Sequence, residues 1–223
     1  MADLSLIRHQ SIFDTSEYNP PIHIIGAGAT GSRIWLALVE LGLTNISIYD
    51  FDDVEAHNLA NQIYLNEDIG SAKIDACYQY YYRKTGHRPP KSMQFINAKV
   101  GEDSGPLEGI VFLLTDTMAS RKEIFEACIR GKSFLMIETR MASSYGDIKT
   151  VNPFNDVECL QWDHSLVSDD DAEVSACGSS ISVGPTASVI ANMAVWQMIH
   201  FLTDQAAMDT NINIHLKPFM LTL

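Results

Sequence analysis

The sequence predicts an α/β fold built on a Rossmann-like, doubly wound and mainly parallel sheet. Short apolar runs of strand length alternate with helical patterns, which is typical of βα units. A glycine-rich turn joins the first such strand to the first helix. Near the end, residues 212–216 alternate apolar and polar side chains like an edge strand. We therefore expect antiparallel strands to complete the sheet on its C-terminal side.

The first βαβ unit lies in residues 22–49. The apolar run at 22–25 predicts a buried strand, and Gly26, Gly28 and Gly31 follow it with the spacing G-x-G-x-x-G. In this motif the first glycine permits the tight turn, the second leaves room for a phosphate, and the third lets the helix pack closely. A helix is predicted at about 30–41, and its N-terminus is a natural anion site. Asp50 follows the next strand, 46–49, where an acid can bind ribose hydroxyls.

The later elements follow from apolar periodicity and from turn residues. Helices are predicted at 71–84, 117–130 and 186–203, and strands at 92–97, 110–114, 134–139 and 145–151. Residues 152–183 look like a crossover loop, longer than a compact domain normally contains without a functional purpose. The chain of 223 residues fits a single domain, 1–223, with an N-terminal arm at 1–20.

Polar residues form a second cluster after the strand at 46–49. Asp52 stands two residues beyond Asp50, so both carboxylates project to the same side of an extended strand end. This suits ribose or Mg²⁺ binding, although Asp52 also suits the start of a solvated turn. Lys73 falls in the first turn of a predicted helix, where a cation opposes the dipole; phosphate binding explains this placement, and a solvated lysine is the alternative. A helical turn would present three amides on one face, those of Asn58, Asn61 and Gln62.

Four segments, at 26–32, 50–54, 58–62 and 68–73, read G-A-G-A-T-G-S, D-F-D-D-V, N-L-A-N-Q and D-I-G-S-A-K. They resemble the ThiF/MoeB family, the adenylating domain shared with ubiquitin-activating enzymes, whose pattern is roughly G-x-G-x-x-G-S, D-x-D-x-V, N-L-x-R-Q and D-I-G-x-x-K. Leu114-Thr115-Asp116 with Arg121 is similar to the family's T-D-N…R segment, and 177–185 is similar to its C-x-x-x-G-V-L-G-P segment.

The resemblance implies an adenylyltransferase that binds ATP and Mg²⁺ and activates a C-terminal carboxylate, which attacks the α-phosphate and releases pyrophosphate. Lys73 would contact phosphates and Asp116 would hold Mg²⁺, although Asp116 equally suits a helix N-cap. The nucleotide-binding residues would be Gly26, Gly28, Ala29, Thr30, Gly31, Asp50, Asp52, Asn58, Asn61, Gln62 and Lys73.

Partners also follow from the resemblance. The substrate would be a small ubiquitin-like or sulfur-carrier-like protein or peptide. The protein would form a homodimer in which Arg8 reaches the ATP site of the other subunit. Cys177 matches a position that some members use for acyl transfer and others do not need.

Two departures from the family pattern bear on function. Asn61 stands where the family has an arginine that touches ATP phosphates, and an amide supplies neither its charge nor its forked donors. Either another cation compensates, with Arg33, Arg140 and Arg8 as candidates, or adenylation is impaired. Arg140 equally suits a salt bridge with Glu138 or a nearby aspartate. No zinc site is expected, because no C-x-x-C pair is formed by the cysteines Cys77, Cys128, Cys159 and Cys177.

Composition and charge narrow the function classes. Hydrophobic residues make up 46% of the sequence and charged residues 19%, as in globular proteins, and no apolar run is long enough to span a bilayer. The net charge of −13 disfavours nonspecific binding to nucleic acid or anionic membranes. The absence of a secretory signal and the scattered cysteines suggest the cytoplasm. Two rival functions stay open: a nucleotide-binding scaffold without catalysis, which Asn61 favours, and an NAD-dependent oxidoreductase, which the glycines and Asp50 also suit.

Overall fold

One mixed sheet of eight strands organises the computed structural model of the chain, which describes residues 5–167, 183–204 and 208–223. The strands are β1 (Ile22–Ile25), β2 (Ile46–Tyr49), β3 (Gln94–Ile96), β4 (Ile110–Leu113), β5 (Leu135–Met141), β6 (Tyr145–Val151), β7 (Asn211–Leu216) and β8 (Phe219–Thr222). The helices are α1 (Gly31–Glu40), α2 (Lys73–Thr85), α3 (Met118–Ile124), α4 (Asp156–His164) and α5 (Gly184–Thr203).

The strand order β3-β2-β1-β4-β5-β6-β7-β8 confirms the predicted architecture. The five strands from β3 to β5 in this order pair in parallel, and β6, β7 and β8 are added antiparallel. β1 has β2 on one side and β4 on the other, so the chain adds strands first on one side of β1 and then on the other. Loops diverge at the carboxyl ends of strands at such a point and leave a crevice in which open α/β sheets bind their ligands.

Apolar layers cover both faces of the sheet. Ile24 belongs to the layer that contains α1 and α5, whereas its neighbour Ile25 belongs to the layer that contains Phe125 and Trp162. This division follows from the strand period of two, because successive side chains point to opposite faces. Phe125 and Trp162 pack with ring centroids 4.3 Å apart, which joins the end of α3 to α4. Helices therefore lie on both faces, as a doubly wound sheet requires.

The prediction of a loop throughout 152–183 is wrong, because part of this stretch forms α4. Asn155 caps the helix by accepting hydrogen bonds from the N–H groups of Val157 and Glu158, at 3.1 and 3.4 Å. Glu158 accepts hydrogen bonds in return from the Asn155 side chain and from the Asn152 N–H, both at 2.7 Å. A side-chain N-cap of this kind stabilises a helix start that has little amphipathic pattern behind it.

Two further elements differ from the expectations. The segment 212–216 is not an edge strand, because β8 pairs with the outer side of β7. The helix predicted at 117–130 is α-helical only to Ile124 and continues as a π-helical turn at Phe125–Ile129. Within the described residues, no helix combines the length and the apolar character needed to cross a membrane.

Candidate functional site

The turn between β1 and α1 requires glycine for two different reasons. Gly26 has a φ of 102°, in the left-handed region that favours glycine. A Cβ on Gly31 would come within 1.9 Å of the Gly26 carbonyl oxygen, so only glycine lets α1 begin this close to the turn. A Cβ on Gly28 would meet no protein atom within 4 Å. Gly26 and Gly31 therefore serve the fold, whereas the space beside Gly28 is open to a ligand.

Asp50 fastens this turn to the end of β2. One carboxylate oxygen accepts a hydrogen bond from the Ala27 N–H at 2.6 Å, and the other accepts one from the Asp52 N–H at 2.9 Å. The side chain is buried, so both bonds are shielded from water. Asp50 thus holds the glycine turn in place beside the open space at Gly28.

Lys73 opens α2 and points its ammonium group toward the two acids that follow β2, Asp50 and Asp52. Its Nζ lies 2.7 Å from Asp52 Oδ2 and 3.7 Å from Asp50 Oδ1. Lys73 is only 6% exposed, so the alternative of a solvated lysine is wrong. The cation is stable at this unfavourable end of the helix because two carboxylates compensate the dipole.

Main-chain hydrogen bonds join the two motif segments that carry these charges. The Lys73 N–H donates to the Asp52 carbonyl at 3.0 Å, and the Val54 N–H donates to the Ser71 carbonyl at 2.8 Å. The Gly70 N–H donates to the Val54 carbonyl at 2.9 Å. The separation of the acids and the lysine is therefore set by the backbone.

Asp68, in the same D-I-G-x-x-K segment, has a structural role. Its buried carboxylate accepts a hydrogen bond from the Leu65 N–H at 2.9 Å. It also accepts a forked set of hydrogen bonds at 3.0–3.1 Å from Arg83 of α2. Arg83 and Asp68 thereby fix the loop that leads into α2, and with it the position of Lys73.

Asp116 follows β4 and lies at the same edge of the sheet. The N-cap of α3 is Thr117, whose hydroxyl accepts a hydrogen bond from the Ser120 N–H at 3.2 Å, so the N-cap alternative for Asp116 is wrong. Asp116 is exposed to solvent, yet protein surrounds part of its carboxyl. This partial desolvation raises the pKa of Asp116, more than the charges of Lys73 and Arg121 lower it. The carboxyl is therefore not committed to the fold.

Beneath Asp116, a buried charge cluster centres on Glu138 of β5, which is fully buried. Glu138 accepts hydrogen bonds from Arg121, from Arg140 Nε at 2.7 Å and from Trp162 Nε1 at 2.6 Å. Arg140 also donates to the carbonyl of Ser165 at 2.6 Å. The cluster joins β5, α3 and α4, and it confirms the alternative in which Arg140 forms a salt bridge with Glu138.

These elements enclose a cavity of about 300 Å³ at the point where β1 and β4 end. Gly28, Asp50, Asp52, Lys73 and Asp116 all line it, so the structure brings together residues from four separate segments of the sequence. Its apolar lining includes Ile25, Tyr49, Phe51, Val100 and Ile124.

Lys99 also lines the cavity, and sequence reasoning missed it. It lies in the loop after β3, where the Ala98 N–H donates to the Ile96 carbonyl at 3.0 Å and Val100 is buried. Both neighbours fix the loop and hold Lys99 at the cavity. The available signal was its position after a parallel strand, since the carboxyl ends of parallel strands meet at one edge.

The ThiF family profile matches residues 18–222. The chain belongs to the ThiF family. The resemblance drawn from the sequence motifs is therefore confirmed. No functionally curated protein matches the sequence.

Solved structures with this fold support the same architecture. PaaA aligns with a TM-score of 0.71 and 16% identity over 96% of this chain, and MccB of E. coli with ATP aligns with a TM-score of 0.69 and 14% identity over 95%. This chain spans 66% of the PaaA chain and 65% of the MccB chain. The E. coli tRNA N6-threonylcarbamoyladenosine dehydratase TcdA aligns with a TM-score of 0.66 and 16% identity, over 91% of this chain and 95% of TcdA. At such identities the likeness establishes the fold.

The remaining residues predicted to bind nucleotide in this ThiF-family protein do not line the cavity: Ala29, Thr30, Gly31, Asn58, Asn61 and Gln62. The expected helical turn that would align the three amides is a 3-10 turn at Ala56–Ala60, which contains Asn58 alone. Asn58 is buried and accepts a hydrogen bond from the Glu55 N–H at 2.9 Å. Asn58 is thus part of the fold of this loop.

Arg8 is exposed in the N-terminal arm, and Cys177 lies outside the described residues. Cys77, Cys128 and Cys159 are buried, and burial raises the pKa of Cys77 to about 12. Among the residues that the structure describes, no group of three or more His, Cys, Asp or Glu side chains is arranged to hold a metal ion.

Proposed function

We propose that this ThiF-family protein is an adenylyltransferase that uses ATP and Mg²⁺ to activate a carboxylate. The observation that carries the proposal is the convergence of Gly28, Asp50, Lys73 and Asp116 on one cavity at the switch point of the sheet. A carboxylate oxygen of the substrate would bond to the α-phosphorus of ATP while the bond to the bridging oxygen of the β-phosphate breaks. The products are an acyl-adenylate and pyrophosphate. The existence of an MccB structure with ATP supports the choice of nucleotide.

The chemistry of the cavity fits ATP. The apolar lining around Tyr49 and Phe51 suits a purine ring, and the open space at Gly28 suits a phosphate at the N-terminus of α1. Lys73 would balance phosphate charge, with its position fixed by Asp52 and the backbone. Asp116 would hold Mg²⁺, an ion that proteins usually bind through one or two carboxylates together with substrate phosphates and water. Bound Mg²⁺ would neutralise charge that builds up on the leaving pyrophosphate.

We propose a small ubiquitin-like or sulfur-carrier-like protein or a peptide as the source of the carboxylate. MccB structures that contain MccA support a partner of this general kind. TcdA carries tRNA in its name, but the net charge of −13 disfavours a polyanionic substrate for the present chain. We further propose a homodimer in which Arg8 serves the partner's site. Acyl transfer by Cys177 stays a prediction.

ATP–pyrophosphate exchange tests the proposal. We expect exchange that depends on Mg²⁺ and on a peptide or small protein with a free C-terminal carboxylate. Lys73→Met and Asp116→Asn should each abolish it, whereas Lys91→Met, which removes an exposed lysine remote from the cavity, should leave it unchanged. A purified protein that binds NAD and ignores ATP would contradict the proposal.

The second candidate function is a nucleotide-binding scaffold without catalysis, which the substitution at Asn61 favours. Such a protein would bind ATP with Mg²⁺ in a calorimetric titration yet support no exchange with any carboxylate. A third measurement, the same titration with NAD, separates an oxidoreductase from the enzyme and the scaffold.

A further inference from the structure

We propose that Arg33 supplies the triphosphate-binding guanidinium that Asn61 lacks, so that the charge comes from α1 and not from the segment 58–62. The proposal rests on the adenylyltransferase function proposed above and names a residue that serves it.

Arg33 lies directly against the backbone of residue 61. Its Nη2 donates to the Asn61 carbonyl oxygen at 3.4 Å. A Cβ added to Gly184, where α5 begins, would lie 3.4 Å from both Arg33 Nη2 and Asn61 Cα. The guanidinium therefore occupies the space next to the position from which a family-type arginine would extend.

The electrostatics of Arg33 differ from those of Arg83, Arg121 and Arg140, which the protein pairs with carboxylates. Arg121 and Arg140 share the carboxylate of Glu138, and Arg83 is paired with Asp68. By contrast, Arg33 forms no ion pair with any residue in 5–167, 183–204 or 208–223, and its Nε is buried without a hydrogen-bond partner.

An unpaired guanidinium that has lost part of its hydration is unfavourable. Burial lowers the pKa of Arg33, because the charged form has lost water and gained no carboxylate. A guanidinium offers five N–H donors, and the part of the chain that the structure describes gives Arg33 one acceptor, the Asn61 carbonyl oxygen. Desolvated cations are normally paired, and no carboxylate within the described ranges is paired with Arg33, so a bound phosphate would supply the missing counter-charge.

Arg33 does not line the cavity, but it stands in the first turn of the helix that begins beside it. Arg33 is the third residue of α1, and the first turn of this helix contains no acidic side chain. The open space at Gly28 adjoins the start of the same helix. An α-phosphate beside Gly28 would let the β- and γ-phosphates follow the first turn toward Arg33, with the N–H groups and dipole of the helix favouring the same charge.

Binding of ATP and AMP to Arg33→Met, measured by calorimetry with Mg²⁺, tests this assignment. Hydrogen bonds to charged groups contribute enough that we expect about 10- to 100-fold weaker ATP binding. AMP binding should stay within about twofold of the unmodified protein, because AMP lacks the outer phosphates. Arg88→Met removes the same charge from an exposed loop and should change neither affinity. Without nucleotide, the melting temperature of Arg33→Met should be unchanged or higher, since a costly desolvated charge is gone, whereas a merely structural arginine would lower it on removal.

A rescue variant makes the assignment specific. In Arg33→Met, the second substitution Asn61→Arg should restore most of the ATP affinity, because it returns the guanidinium to the position that the family pattern uses. If this double variant does not fold, Arg33→Lys decides: a lysine keeps the charge without the fork and should bind ATP with intermediate affinity. Equal ATP affinity in Arg33→Met and the unmodified protein, an equal loss for AMP, or a folded double variant without rescue would overturn the proposal. An unmodified protein that binds no ATP would instead overturn the proposed function, and this inference with it.

Discussion

Replacing Glu138 by glutamine should destabilise the fold strongly. Glu138 is fully buried and accepts hydrogen bonds from Arg121, Arg140 and Trp162. Glutamine keeps the shape but removes the charge, so two guanidinium groups remain without their counterion, and its new N–H donors face other donors. Removal of one partner from a buried ion pair costs about 3–5 kcal/mol. Arg140 retains some access to water, so we expect a loss near the lower end, about 3 kcal/mol.

Urea denaturation followed by tryptophan fluorescence measures this loss. With an m-value of about 2 kcal/mol/M, the midpoint should fall by about 1.5 M. Glu126→Gln is the matched control, because Glu126 pairs with Arg130 at 3.2 Å on the surface of the protein. A solvated pair of this kind contributes little, so the control midpoint should hardly move.

The pH dependence gives a second check on the same variant. Burial alone would raise the pKa of Glu138, but the charge of Arg121 and the hydrogen bonds of Arg140 lower it overall. The folded protein thus holds this carboxyl ionised to a lower pH than the unfolded chain, whose pKa is near the ordinary 4.5. The stabilisation is complete above pH 4.5 and is lost as the pH falls through the folded pKa. The difference in unfolding free energy between the unmodified protein and Glu138→Gln should therefore shrink in acid. A difference below about 1 kcal/mol at neutral pH, or a difference that does not change with pH, would refute the reasoning.

Three further predictions concern the cavity. Lys99→Met should weaken ATP binding about tenfold in calorimetry, because the cavity would keep its carboxylates and lose a cation. The control Lys91→Met should bind ATP as the unmodified protein does. Equal affinities in Lys99→Met and the unmodified protein would refute a role for Lys99. The pKa of Asp116 is raised in the folded protein, so ionisation of this carboxyl lowers the stability of the fold as the pH rises through that pKa. Asp116→Asn should therefore raise the melting temperature at pH 7 but not at pH 3. A lower melting temperature at pH 7 would contradict this prediction. Gly31→Ala should unfold at a much lower urea concentration, because its Cβ meets a backbone oxygen. Gly28→Ala should fold normally and lose ATP affinity. Similar stability of the two variants would show that the turn adapts.

The parallel half of the sheet and much of the cavity followed from local sequence patterns. The glycine spacing, the acid after β2 and the lysine that opens α2 are each placed by strand and helix ends that short-range patterns indicate. Gly28, Asp50 and Lys73 therefore meet at the expected edge of the sheet. The salt bridge between Arg140 and Glu138 was also accessible, because residues two apart on a strand share a face.

Other features depend on long-range packing. Lys99 belongs to no motif, and only the pairing of β3 with β2 brings it to the cavity. The start of α4 did carry a local signal, Asn155 with Glu158 three residues later, but the weak apolar pattern of the helix concealed it. The outer position of β8 is set by a hairpin with β7 that the alternation at 212–216 does not reveal. Sequence patterns thus predicted which segments form helices and strands more reliably than they predicted which strands pair in the sheet.

The main-chain hydrogen bonds that join Val54 to Gly70 and Ser71 determine which substitutions the stretch between them can tolerate. The intervening stretch leaves the edge of the sheet that bears the cavity and returns to it where Val54 and Ser71 are hydrogen-bonded. The Lys73 N–H then donates to the Asp52 carbonyl. Substitutions in this stretch that spare Asp68 and its pairing with Arg83 need not disturb the geometry of the acids and the lysine. Residue 61, where the family pattern has an arginine, can therefore differ while the two acids and the lysine keep their separation.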